Sequence, residues 1–234
     1  MSRLPSRALV MASLVGPMVS GCNTPNLNVR VVTLPNGQLQ VDGPLAGPFD
    51  TLEDLAENSC KLLTSQPGAA AMSASQAKHG FEYCALYYRT LEDQKYYLSY
   101  LSDIGGTRPN GEKFCAVPTA IHALDRKTPL LLGPSHNHPH NPEFSKGDLG
   151  KGREEGWSPL GGVARVAEPG TQHVWERKLL LFYWDWRAEV CRTFMYNYFS
   201  RVVSALRDGT WVPIGKAVGR DGDFQPFEGQ RWIP

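Results

Sequence analysis

The chain has 234 residues, 41% of them hydrophobic and 20% charged, with a formal net charge of +1. That length suits one domain, or one domain with an extension, and the composition is that of a globular chain able to bury a core. Near-neutral charge without a basic stripe excludes a nucleic-acid binder driven by phosphate neutralisation.

The start reads as an export signal. Arg3 and Arg7 give a positive beginning, Ala8 to Val19 an apolar middle too short to span a bilayer, and Val19-Ser20-Gly21-Cys22 follows. Small residues directly before a cysteine resemble a bacterial lipobox, in which residues 1–21 are removed as a lipoprotein signal peptide and Cys22 is lipidated. Asn23, in place of an aspartate, is similar to Gram-negative lipoproteins of the outer membrane. The expected location is therefore the bacterial cell envelope, lipid-anchored at the outer membrane. Loss of Arg3 and Arg7 brings the mature charge to about −1. Cys60, Cys84, Cys115 and Cys191 remain, an even number that in an exported chain points to at least one disulfide, with the pairing left open.

Residues 22–48 are expected to be a tether and a β-hairpin, because Pro35-Asn36-Gly37 separates Val29–Leu34 from Gln38–Val41. A helix starts near Asp50 or Thr51, where Asp50 and Glu53 fit a capping box. Leu52, Leu55, Ala56, Cys60, Leu62 and Leu63 then recur at helical spacing up to Pro67-Gly68. Ala69 to Lys78 suggests a second, Ala-rich helix. Phe81 to Arg89 reads as an aromatic-rich strand and Lys95 to Leu101 as its antiparallel partner. Residues 104–113 read as a loop and 118–129 as an irregular segment. Leu130-Leu131-Leu132-Gly133 is a buried strand that runs into Gly133-Pro134-Ser135-His136-Asn137-His138-Pro139-His140. A Gly-rich loop over 149–162 precedes strands at 163–166, 179–184 and 191–196, and a long run from 201 to 218 turns at Asp208-Gly209. Residues 219–234 read as a loose tail.

The chemistry gathers at the histidines. On an extended chain His136 and His138 share a face, so two imidazoles can grip one ion. Ser145 and Asp148 have capping-box spacing, which predicts a short helix presenting the Asp148 carboxylate towards the strand end. Two histidines and one carboxylate leave a fourth tetrahedral position open, the arrangement of a catalytic zinc. A general base is then required, and Glu82, which starts a mostly apolar strand, is the candidate. His140 and Glu143 are alternative ligands or neighbours of the site. His79, His122 and His173 read as structural or solvent-facing.

H-x-H-P, a short gap, S-x-x-D and a distant strand glutamate resemble the motif of the JAMM (MPN-type) metalloproteases, here carried by His136, His138, Pro139, Ser145, Asp148 and Glu82. The form Phe144-Ser145-x-x-Asp148 is similar to bacterial JAMM-like domains of toxin and Rhs-associated proteins. The resemblance implies Zn2+ held by His136, His138 and Asp148. It implies Glu82 as general base, and Ser145 as a helper that stabilises an oxyanion or orients groups around the ion. It also implies an α/β (α+β) fold over residues 49–218, a curved mixed β-sheet flanked by helices in the cytidine-deaminase-like JAMM/MPN architecture. The expected function is zinc-dependent hydrolysis of peptide or isopeptide bonds. Its substrate is a peptide or protein, peptidoglycan peptides among them. The membrane is reached through the N-terminal lipid, and nucleic acid is not a partner. The alternative is a non-enzymatic lipoprotein that uses the same fold as a binding or assembly module.

Overall fold

The computed structural model describes residues 25–77 and 79–233. The expected signal peptide and Cys22 lie outside the described residues. In chain order the elements are β1 (Val31–Thr33), β2 (Leu39–Gly43), β3 (Ala46–Phe49), α1 (Leu52–Thr64), α2 (Ala74–Ala77), β4 (Cys84–Thr90), β5 (Tyr96–Leu98), β6 (Gly105–Thr107), β7 (Lys113–Cys115), β8 (Ala120–Ala123) and β9 (Pro129–Asn137). There follow β10 (Arg165–Ala167), β11 (Val174–Glu176), β12 (Lys178–Asp185), β13 (Val190–Asn197), β14 (Val202–Arg207), β15 (Thr210–Val218) and β16 (Asp223–Pro226).

Nine strands form one mixed sheet in the order β16-β15-β14-β13-β12-β9-β4-β5-β3. β9 lies in its interior, next to the central β12, antiparallel to β4 and parallel to β12. The hairpin read around Asn36-Gly37 is present as β1–β2, and β2 pairs in parallel with β8. Two smaller hairpins, β6–β7 and β10–β11, stand apart from the main sheet.

The expected α/β architecture is corrected. The described chain is mostly β: its helices are the 13-residue α1 and the four-residue α2, and large mixed sheets replace a sheet flanked by helices. The Ala-rich segment from Ala69 yields only the single turn of α2. α1 is as patterned, except that Thr51, not Asp50, caps it: the Thr51 hydroxyl accepts the Asp54 amide at 3.0 Å. Its Leu55 and Leu63 are fully buried, each contributing about 1.5–3 kcal/mol of apolar burial. The segment read as a loop contains β6 and the start of β7, and the segment read as irregular contains β8. The tail is not loose. β16 extends the sheet beside β15, and Trp232 packs on Phe144, Phe194 and Phe224.

The sheet separates two cores. Ala85, Tyr87, Leu130, Leu132, Leu180 and Phe182 pack with α1 on one side. Leu179, Leu181, Phe194, Tyr196 and Val203 face the other side, under Phe144, Leu149 and Ala164. Along β12 the two sets alternate, as a strand buried on both faces requires. β9 would put residues 130, 132, 134 and 136 on the helix side, but its register against β4 shifts between Tyr87 and Tyr88, where Gly133 and Leu131 are the partners and Leu132 is skipped. This bulge reverses the alternation. Ser135 then lies opposite Ala85 and Leu180, on the helix side, while His136 lies opposite Cys84 and Leu181, on the other. Two disulfides, Cys60–Cys191 and Cys84–Cys115, tie α1 to β13 and β4 to the β6–β7 hairpin.

Gly133 is required at the bulge. A Cβ there would lie 1.8 Å from the Lys178 carbonyl oxygen and 2.6 Å from the Tyr87 ring. That carbonyl also accepts the buried Tyr87 hydroxyl at 2.9 Å. Gly133→Ala is therefore expected to cost at least the roughly 1–3 kcal/mol of ordinary overpacking, read as a lower urea midpoint. An unchanged midpoint would show that β9 does not sit this close to β12.

Candidate metal centre

β9 ends at Asn137, and His136 and His138 emerge from its last turn of pleat, both buried. Their Nε2 atoms are 3.1 Å apart. The chain then loops back so that Asp148 Oδ1 lies 3.7 Å from His136 Nε2 and Asp148 Oδ2 lies 3.6 Å from His138 Nε2. A four-coordinate ion with bonds of about 2.0–2.1 Å sets its donors about 3.3 Å apart. The three donors stand at nearly that spacing, so His136, His138 and Asp148 form a group that can hold a metal ion.

The loop that delivers Asp148 is a capping box without a helix behind it. Asp148 Oδ2 accepts the Ser145 amide and hydroxyl, each at 2.8 Å, and the Ser145 hydroxyl oxygen accepts the Asp148 amide at 3.2 Å. One i to i+4 bond, from the Leu149 amide to the Ser145 carbonyl, completes a single turn. Gly147 and Gly150 in that turn oppose helix propagation, which is why the expected helix is absent. His138 is oriented from behind, its Nδ1 lying 3.2 Å from the Asn141 carbonyl. A proton donated there leaves the Nε2 lone pair facing His136 and Asp148.

Glu82 arrives from the neighbouring strand. It lies two residues before β4, nearly buried, with Oε1 3.8 Å from His138 Nε2. The Cys115 backbone amide hydrogen-bonds its carboxylate. The long-range pairing of this glutamate with the histidines is therefore present in the geometry. His140 and Glu143 line the outer cleft, while His122 pairs with Asp42 and His173 meets Trp175 edge-on, both away from the centre.

Burial and charge drive the two carboxylates apart. Burial pushes the Glu82 carboxyl up to about 7; the His138 imidazole opposes this, and Asp148 and Glu112 add to it. Burial acts on Asp148 in the same sense, but His136, His138 and the Ser145 hydroxyl outweigh it and hold the carboxyl well below the usual range. Burial takes His136 down to about 4 against the pull of Asp148. For His138, burial is outweighed by Asp148, Glu82 and the Asn141 carbonyl, and the net direction is upward. The centre thus offers an ionised carboxylate and a neutral imidazole as donors, next to a carboxyl that exchanges its proton near neutrality.

The three ligands line an inner chamber of about 180 Å³, beside an outer cleft of about 380 Å³. Glu82, His138 and Ser145 border both. Glu112 and Lys113, from the β6–β7 hairpin, form one wall, and Trp157, Pro159 and Tyr198 close the inner end. Sequence reading missed this hairpin wall and the Asn141 carbonyl, because neither a backbone acceptor nor a loop folded over a distant site leaves a local residue pattern. It also passed over a structural role for Asn137, the buried last residue of β9 between the two histidines.

No family model, no curated protein and no solved structure matches the chain.

Metal uptake tests the donor set. The purified chain is expected to carry about one divalent metal ion after loading, with zinc as the probe, and His138→Ala none, by elemental analysis. Because His138 holds its proton more tightly than an ordinary histidine, protons compete with the ion. Affinity is expected to weaken as pH falls from about 8 to about 6, read by competition with a chromogenic chelator. An affinity flat across that range would remove His138 from the ligand set.

Proposed function

We propose that the chain is a metal-dependent hydrolase of peptide or isopeptide bonds, with zinc as the ion. The observation that carries the reading is the buried Glu82 carboxyl 3.8 Å from His138 Nε2, beside a convergent His-His-Asp group in one inner chamber. Held by His136, His138 and Asp148, a zinc ion would supply Lewis acidity and lower the pKa of a water molecule. Glu82 takes the proton from the attacking water and passes it to the leaving amine. A carboxyl balanced near neutrality can do both within one turnover. Asp148 stays ionised and serves as a ligand. Ser145 spends its hydroxyl proton on Asp148, which supports orientation of the ligand over stabilisation of an oxyanion. The cleft is of the size that buries a short peptide segment.

The spacing of His136, His138, Ser145 and Asp148 resembles the JAMM motif, while the mostly β architecture does not follow that family's helix-flanked layers. The reading therefore rests on the site. Two disulfides suit an oxidising compartment, in keeping with the export signal and with lipidation at Cys22. Within the bacterial envelope, peptidoglycan peptides and secreted proteins are the peptide substrates in reach.

Glu82→Gln separates binding from chemistry. The variant is expected to keep its zinc and to lose hydrolysis of peptidoglycan peptides or of a peptide library by about 10²-fold or more, measured by mass spectrometry of products. Loss of the ion together with activity would make Glu82 a ligand. Iron in place of zinc after metal-replete expression would replace hydrolysis with oxygen chemistry, for which two histidines and a carboxylate also serve.

A further inference from the structure

Asn137, between the two histidines, is fully buried. The period of two that turns His136 and His138 to the metal turns Asn137 to the opposite face of β9. There its amide nitrogen donates to the Ala69 carbonyl at 2.7 Å and to the Phe81 carbonyl at 3.0 Å, and its amide oxygen accepts the Tyr83 amide at 2.8 Å. Phe81 and Tyr83 are the two neighbours of Glu82. One side chain therefore grips the backbone on both sides of the base, across 54 and 56 residues of sequence. Both amide hydrogens are used and the oxygen already accepts one bond, so the buried side chain is committed to the backbone around Glu82.

The segment it holds lacks the ladder that steadies the rest of β4. Backbone exchange between that strand and its surroundings begins at Cys84, which bonds Ser102 in both directions, and the Phe81 amide is tied to Gly68. Between those points the Phe81 carbonyl and the Tyr83 amide go to Asn137. The same bracket reaches past His138, where the Ala71 amide donates to the Pro139 carbonyl at 2.7 Å. From the opposite direction, the Cys115 amide meets the Glu82 carboxylate, and Cys115 is bonded to Cys84.

We propose that Asn137 is a positioning residue for Glu82. It sets the separation between the carboxylate and the ligand histidines by fixing the base to the strand that carries them. This inference rests on the metal-hydrolase reading. Cobalt(II) serves as the spectroscopic probe, loaded into the full chain as wild type, Asn137→Ala, Asn137→Asp and Glu82→Gln. Metal affinity of the Asn137 variants is expected to stay within about tenfold of wild type, the lower bound of what losing a ligand's orienting partner costs. The pH at which the cobalt visible spectrum changes is expected to shift in Glu82→Gln and to shift in the same direction in Asn137→Ala. Hydrogen exchange at the Tyr83 amide is expected to accelerate by about tenfold or more in Asn137→Ala and by less in Asn137→Asp, which keeps the acceptor. Should the alanine variant fail to fold, the aspartate variant, which loses the donors to Phe81 and Ala69, carries the spectral comparison. A wild-type cobalt spectrum at every pH in a folded Asn137 variant overturns the inference alone, even with faster exchange at Tyr83. A wild-type chain that takes up neither zinc nor cobalt, or a Glu82→Gln spectrum identical to wild type, overturns the metal-hydrolase reading and the inference with it.

Discussion

Strand β9 must satisfy two demands that a regular strand cannot meet together. Its first half buries Leu130 and Leu132 against α1, while its end has to turn His136 away from that core. A strict alternation would place all three side chains on one face. The skipped residue opposite Tyr87 and Tyr88 reverses the parity, and Gly133 lets β9 pass the Lys178 carbonyl closely enough to remain in the sheet. The cleft, the ligand group and the grip on Glu82 all follow from that one irregularity.

The centre's electrostatics come from placement more than from residue type. Asp148 and Glu82 are both withdrawn from water, and what separates them is company. Asp148 has two imidazoles and a hydroxyl within reach, whereas Glu82 has one backbone amide and one imidazole, with the Asp148 and Glu112 carboxylates pushing the other way. Divergence of two acids in one cleft is how a site obtains a permanent anion and a proton carrier from the same chemistry.

The sequence made part of this legible. His136, His138 and Asp148 could be read because period two and the capping-box spacing are local rules, and both hold even though the helix behind Ser145 does not form. Glu82 could be read as a charge placed where an apolar strand begins. The fold class could not, because the motif's resemblance supplied an architecture that local patterning does not test. The short strands β6, β7, β8, β10 and β11 are three or four residues long, too brief for an alternation to register. Their positions are set by pairing with distant segments, as are Asn137's bonds to Ala69, Phe81 and Tyr83. The tail was misjudged for a similar reason. Gly219, Gly222 and Gly229 look like a disordered composition, yet β16 needs only a free edge on β15 and Trp232 only the ring edges of Phe194 and Phe224.

The two disulfides are nested, Cys84–Cys115 within the span of Cys60–Cys191. Of the four paired cysteines, a chain emerging from its N-terminus presents Cys60 and Cys84 first, and these two do not pair with each other in the folded protein. Cys191 appears only after 131 further residues, when the partner of Cys60 first becomes available. Correct bonding therefore depends either on α1 shielding Cys60 until β13 arrives or on exchange through mixed disulfides that undoes an early Cys60–Cys84 link. The order of cysteines along the chain thus makes maturation sensitive to thiol–disulfide isomerisation, a requirement that sequential pairing would have avoided.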